Sequence, residues 1–141
     1  MQLSIFLYTS ILGRKVYDEF GDVLGTLRDV YVTTEEGYPR VIGYKLKKDG
    51  ISFHYEFRYI EFTNKDGRFR IKTRGSKEIL PMKYSYLLSE NLLDKKIVDI
   101  NGKQVVRVND LRIARIAGEY RVVGVEVGPL ARYRRLKIAG F

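Results

Sequence analysis

Four cations recur at every second position between residues 68 and 74: Arg68, Arg70, Lys72 and Arg74, with Phe69, Ile71 and Thr73 between them. In an extended strand alternate side chains share a face and lie about 6.8 Å apart. That spacing is comparable to the separation of successive phosphates in an extended single strand. Such a ridge can hold RNA or anionic lipid head groups. The same pattern also suits an edge strand that uses charge to resist aggregation. A second basic cluster, Arg132, Arg134, Arg135 and Lys137, contains no acid, and Leu130, Tyr133 and Leu136 recur through it every three residues. This spacing predicts the start of an amphipathic helix whose cations form basic tail contacts. The helix pattern runs out at Phe141 without a cap, so the natural chain is expected to continue.

Other residue types that do chemistry are sparse. Asp18, Glu19 and Asp22 cluster as acid–base or Mg²⁺ sites do. His54 is the single histidine, and there is no cysteine. A zinc site would therefore need several carboxylate or solvent ligands. Phe53, Tyr55 and Phe57 alternate with His54, Glu56 and Arg58, which fits the inward face of a small barrel as well as a platform for stacking bases. No phosphate-binding loop, dinucleotide fingerprint, nucleophile elbow or zinc-protease motif occurs. No nucleophile pairs with a base, so neither enzyme activity nor a cofactor or metal is expected.

The elements that position these residues belong to a chain of 141 residues, 45% apolar and 30% charged, with a formal charge of +9. That length supports a folded core and the composition excludes wholesale disorder. No run approaches the ~20 apolar residues of a membrane span. The lack of cysteine and of a secretory signal points to the cytoplasm. The positive charge permits nucleic acid as a partner without requiring it.

The sequence repeats itself. Shifted by 81 positions, Leu7–Leu46 overlays Leu88–Val127 without a gap. Identities include Lys15/Lys96, Asp18/Asp99, Gly21/Gly102, Asp29/Asp110, Gly37/Gly118, Arg40/Arg121 and Gly43/Gly124. An acid that recurs with a repeated module reads as a turn or backbone cap rather than a catalytic group. Asp18, Gly21 and Asp29, with Asp99, Gly102 and Asp110, are therefore assigned to repeat turns. Each repeat reads as a helical turn, a short strand, a tight turn, a long strand, a second turn, and a strand interrupted by a glycine (Gly43 or Gly124) that suggests a bulge. The first repeat continues with two further alternating strands. The second has only 14 residues after Val127 and is shortened.

Leu12-Gly13-Arg14-Lys15-Val16-Tyr17-Asp18-Glu19-Phe20-Gly21-Asp22-Val23-Leu24-Gly25, followed by Leu27-Arg28-Asp29-Val30, resembles the opening of the PRC-barrel, a module of the photosynthetic reaction-centre H subunit and of the ribosome maturation factor RimM. Phe57–Glu61 is similar to the strand that closes that barrel. Leu92–Asp99, Val106–Leu111 and Val122–Gly128 are similar to bacterial proteins in which PRC-barrel sequence precedes the intracellular N and CBS domains of MgtE-type magnesium transporters and their relatives. The resemblance implies an all-β protein. It comprises a small PRC-type barrel over residues 1–80, a linker over 81–90, and a second, shortened PRC-like unit over 91–141 ending in a basic helix. It further implies a non-enzymatic cytoplasmic interaction or regulatory module of a magnesium-transport-related protein, with a protein partner or adjoining domains, and no metal site. The alternative is an RNA- or ribosome-associated module. The open edges of a shortened repeat call for a cover, for which a homodimer is one source.

Overall fold

The computed structural model describes residues 4–34, 37–80, 86–98, 104–128 and 134–136. Asp99, Gly102, Arg132 and Lys137 lie outside the described residues. The protein is all-β, as the alternating sequence predicts. In the first repeat a short strand, β1 (Ile5–Leu7), leads through a 3₁₀ turn at Tyr8–Ser10 into β2 (Lys15–Tyr17), β3 (Val23–Thr33), β4 (Arg40–Lys48), β5 (Ile51–Glu56), β6 (Tyr59–Lys65), β7 (Arg68–Arg74) and β8 (Lys77–Glu78). The second half of the chain has β9 (Tyr86–Leu87), a one-turn helix α1 (Leu88–Asn91), β10 (Lys96–Val98), β11 (Val105–Ile116) and β12 (Glu119–Gly128), followed by β13 (Arg134–Leu136).

In the first repeat the pairings come back on themselves. β2 pairs with β3, β3 with β4, β4 with β5, and β5 with β8, all antiparallel. β8 continues β7 around a bend at Gly75 (φ +66°), and β7 returns to β2 in parallel. The inward positions carry Val16, Leu27, Tyr44, Leu46 and Ile71, all fully buried. Tyr55 and Phe57 flank the Tyr44 ring from one side of β5, so the aromatic alternation serves the core. Gly43 is needed where β4 bulges: Tyr31 and Val32 face Gly43 and Val41, leaving Ile42 as the extra residue. A Cβ on Gly43 would stand 2.5 Å from the Tyr55 carbonyl oxygen.

The two halves of the chain share one sheet and one core. β1 of the first half pairs with β11 of the second, and β9 of the second half pairs with β3 of the first. β12 joins β4 through Arg121 and Arg40. The core runs without a break from Val16, Leu27 and Tyr44 to Val108, Leu111 and Val127. Phe6, Phe62 and Tyr120 form an aromatic triad across the junction, with ring centroids 4.8–5.9 Å apart. One pair of positions 81 apart in sequence behaves alike. Gly13 and Asp94 both have positive φ, and their amides donate to Leu27 O and Val108 O at 2.9 and 2.8 Å.

Three expectations change. β7 is not an edge strand, because β2 and β6 bond it from both sides. Arg134–Leu136 is strand rather than helix: the unsatisfied backbone along β12 captures it antiparallel to Val125–Val127, and a three-residue apolar spacing over so short a run does not distinguish the two. Within the stretch expected as a linker, Tyr86–Leu87 is bonded into the sheet and Leu88 is fully buried. The flanks of β11 and β12, expected to be left open, are occupied within the chain by β1, β10, β13 and β4. No helix among the described residues is long and apolar enough to cross a membrane.

Candidate functional site

Alternation along β7 turns Ile71 and Thr73 inward and leaves Arg68, Arg70, Lys72 and Arg74 exposed on the outer face. Thr73 fixes the strand by donating from Oγ1 to Tyr17 O (3.1 Å) and bonding to Tyr44 and Ser76, and the Tyr44 hydroxyl also meets Ser76 Oγ. The parallel register sets Val16 beside Ile71 and Tyr17 beside Lys72, which brings Lys15 alongside the Arg70 row. On the other flank Lys65 stands opposite Arg68, Thr63 opposite Arg70, Glu61 opposite Lys72 and Tyr59 opposite Arg74.

This register makes the two ends of the ridge unlike. At the Arg68 end, a cleft of about 810 Å³ is lined by Arg14, Lys15, Tyr17, Lys65, Arg68, Phe69 and Arg70, with Asp66 the single carboxylate. The Arg70 guanidinium lies 4.6 Å from the centre of the Tyr17 ring, a cation–π contact that orients it along the cleft. At the other end Glu61 faces Lys72 and accepts a 3.0 Å hydrogen bond from the Tyr59 hydroxyl. Among the described residues none of Arg14, Lys15, Lys65, Arg68, Arg70, Lys72 and Arg74 forms a salt bridge; those found are Arg40–Glu119, Arg121–Glu119 and Arg112–Glu126. Sequence alone misses Arg14, Lys15 and Lys65 as members, because the parallel pairing that recruits β2 spans 55 positions. The readable signal is only that Arg14-Lys15 is itself a basic pair.

The carboxylates do structural work. Asp18 Oδ1 accepts from the amides of Phe20 (2.9 Å) and Asp22 (2.8 Å), closing a turn in which Gly21 has φ +85°. Asp29 is buried; its Oδ1 accepts from the Val30 amide (2.8 Å), the Ser89 amide (2.7 Å) and the Tyr8 hydroxyl (3.1 Å), and its Oδ2 from the Glu90 amide (3.1 Å). Asp110 does the converse, accepting from the Thr9 amide (3.0 Å), the Thr9 hydroxyl and the Leu111 amide (2.8 Å). Each aspartate thus holds a turn in the other half of the chain. Burial and the neighbouring Asp29 drive the Tyr8 phenol far above its usual range.

His54 Nδ1 shares a 2.7 Å hydrogen bond with the buried Tyr31 hydroxyl. Burial, and secondarily Lys45, lowers the His54 pKa below 6.5. Among the described residues no group of three or more His, Asp or Glu side chains could hold a metal ion. Arg134 and Arg135 of the basic tail lie on β13 beside β12, away from β7 in the sheet order. A second cavity of about 190 Å³ at the junction is lined by Arg40, Phe57, Arg58, Tyr59, Glu119 and Tyr120 among others, and Glu119 there pairs with Arg40 at 3.8 Å.

Among curated proteins the chain finds no match. Compared with known protein families, residues 4–79 match the PRC-barrel domain. That span covers the bonded ring from β2 round to β8 together with β1 and the outer strand β6. The chain belongs to the PRC-barrel domain family.

Proposed function

We propose that this chain is a non-enzymatic, cytoplasmic interaction module that holds an anionic partner against the outer face of β2, β7 and β6. One observation carries the reading: β7 is bonded on both sides at Ile71–Lys72, which charge on an edge strand does not explain, and among the described residues none of its four outward cations forms a salt bridge. The buried acids support a non-catalytic role, since Asp29 and Asp110 are engaged by backbone amides. The second half is read as a shortened PRC-like unit, on the matching behaviour of Gly13 and Asp94 and of Asp29 and Asp110. Its resemblance to segments that precede the intracellular domains of MgtE-type transporters makes an adjoining domain of a magnesium-transport-related protein one kind of partner. The cleft at the Arg68 end favours the other kind, an RNA- or ribosome-associated ligand.

Retention on immobilised heparin tests the docking face. Reversing Arg68, Arg70, Lys72 and Arg74 to Glu should move elution below about 0.2 M salt. A control with the same charge change at the exposed Lys47, Lys48, Lys95 and Lys96 should remain retained well above that. Equal elution of the two variants would overturn the reading.

A further inference from the structure

Resting on that docking face, we infer that the cleft at the Arg68 end is a binding site for single-stranded nucleic acid, with phosphates held by Arg14, Lys15, Lys65, Arg68 and Arg70. The lining of this open, about 810 Å³ cleft gathers five cations, Arg14, Lys15, Lys65, Arg68 and Arg70, around one carboxylate, Asp66. The charge spacing fits a phosphate backbone. Arg68 and Arg70 stand about 6.8 Å apart along β7, and Lys15 adds a second row about 4.8 Å away across the parallel pairing. The cleft also offers what an acidic peptide does not need. Tyr17, under the Arg70 guanidinium at 4.6 Å, places a π surface among the cations, and aromatic rings beside a basic groove take up bases irrespective of their sequence, whereas Phe69 packs toward the core. Phosphate contacts of this kind position a strand without reading it.

The site is therefore narrower than the ridge. Lys72 and Arg74, opposite Glu61 and Tyr59, lie outside it. Engagement of about four phosphates gives a salt slope near −3, or about a 50-fold loss of affinity between 50 and 200 mM salt.

The experiment is fluorescence anisotropy of labelled decauridylate with the full chain, alongside labelled decaglutamate and vesicles containing phosphatidylserine. Decauridylate should bind best, lose about 50-fold across that salt range, and lose at least tenfold in R68E/R70E but no more than about threefold in K72E/R74E, which carries the same net charge. Wild-type thermal midpoints are expected for both variants because the replaced side chains are exposed. If R68E/R70E does not fold, R68Q/R70Q answers the same question. Decaglutamate or vesicles bound as tightly as decauridylate, and still lost in R68E/R70E, would overturn the nucleic-acid assignment and leave the docking face standing. Equal losses in the two variants would overturn the cleft. No binding, or binding that neither variant alters, would overturn both.

Discussion

Asp29→Ala removes four hydrogen-bond acceptances at one stroke, and the surroundings of each donor set the cost. The Val30 amide and the Tyr8 hydroxyl are buried, so each loses a partner where water does not replace it. An unsatisfied buried donor costs about 1–3 kcal/mol; Tyr8 sits at the low end, because Ser89 Oγ remains 2.6 Å away. The Ser89 and Glu90 amides are only part-buried, and water recovers most of their bonding. The expected destabilisation is about 3–4 kcal/mol, among the larger values for a single substitution. For a domain of this size each kcal/mol moves the thermal midpoint by about 3 °C, so the midpoint should fall by about 10 °C. Asp110→Ala, which releases Thr9 and Leu111, should cost about 2–3 kcal/mol. Thermal denaturation followed by tyrosine circular dichroism reads both. A midpoint for Asp29→Ala within about 2 °C of wild type would refute the claim that the two halves of the chain are locked by these acids.

Two further outcomes follow from burial and backbone geometry. Burial raises the phenol pKa values of Tyr8 and Tyr44 above 10, so the unfolded chain releases these protons first; stability is intact below pH 10 and falls as pH rises beyond it. In an alkaline titration at 295 nm, the phenolate signals of Tyr8 and Tyr44 should appear together with loss of the sheet signal, and their appearance before unfolding would contradict the buried hydrogen bonds. Gly43→Ala should destabilise by about 2–3 kcal/mol, because its Cβ meets a carbonyl in the paired strand at 2.5 Å. Gly50→Ala, with open space but φ +79°, should cost only about 1 kcal/mol by urea titration, and the reverse order would refute the close approach at β4.

Much of the fold is legible because it is local. The alternation of Arg68–Arg74 gives the strand and its outward face without knowledge of its neighbours, and Gly43 marks a bulge by interrupting a β-favouring run. Asp18 is readable as a turn former for the same reason, since its acceptances lie within four residues. What escapes the sequence is long-range. Asp29 and Asp110 recur visibly, but nothing local says that each secures the other repeat rather than its own. The parallel pairing of β2 with β7 converts a suspected edge into an interior strand and moves the charged cleft toward Arg14 and Lys15. Arg134–Leu136 shows the same limit: three residues take the conformation that a waiting edge offers them.

The exchange of leading segments also imposes an order of events on a newly made chain. β9 and α1 meet β3 as soon as they emerge, because their partner has already been made. The first residues have no such fortune: β1 pairs with β11, and Thr9 waits for Asp110, 101 positions downstream. At synthesis rates of about 5–20 residues per second, the amino-terminal arm stays unplaced for about 5–20 s after it is made. The earliest residues to be synthesised are thus set only after most of the chain has been made. During that interval the arm of one chain and the β11 edge of another present the same complementary geometry. Trading arms between molecules is therefore the reaction that competes with proper closure, and crowding on the same messenger favours it.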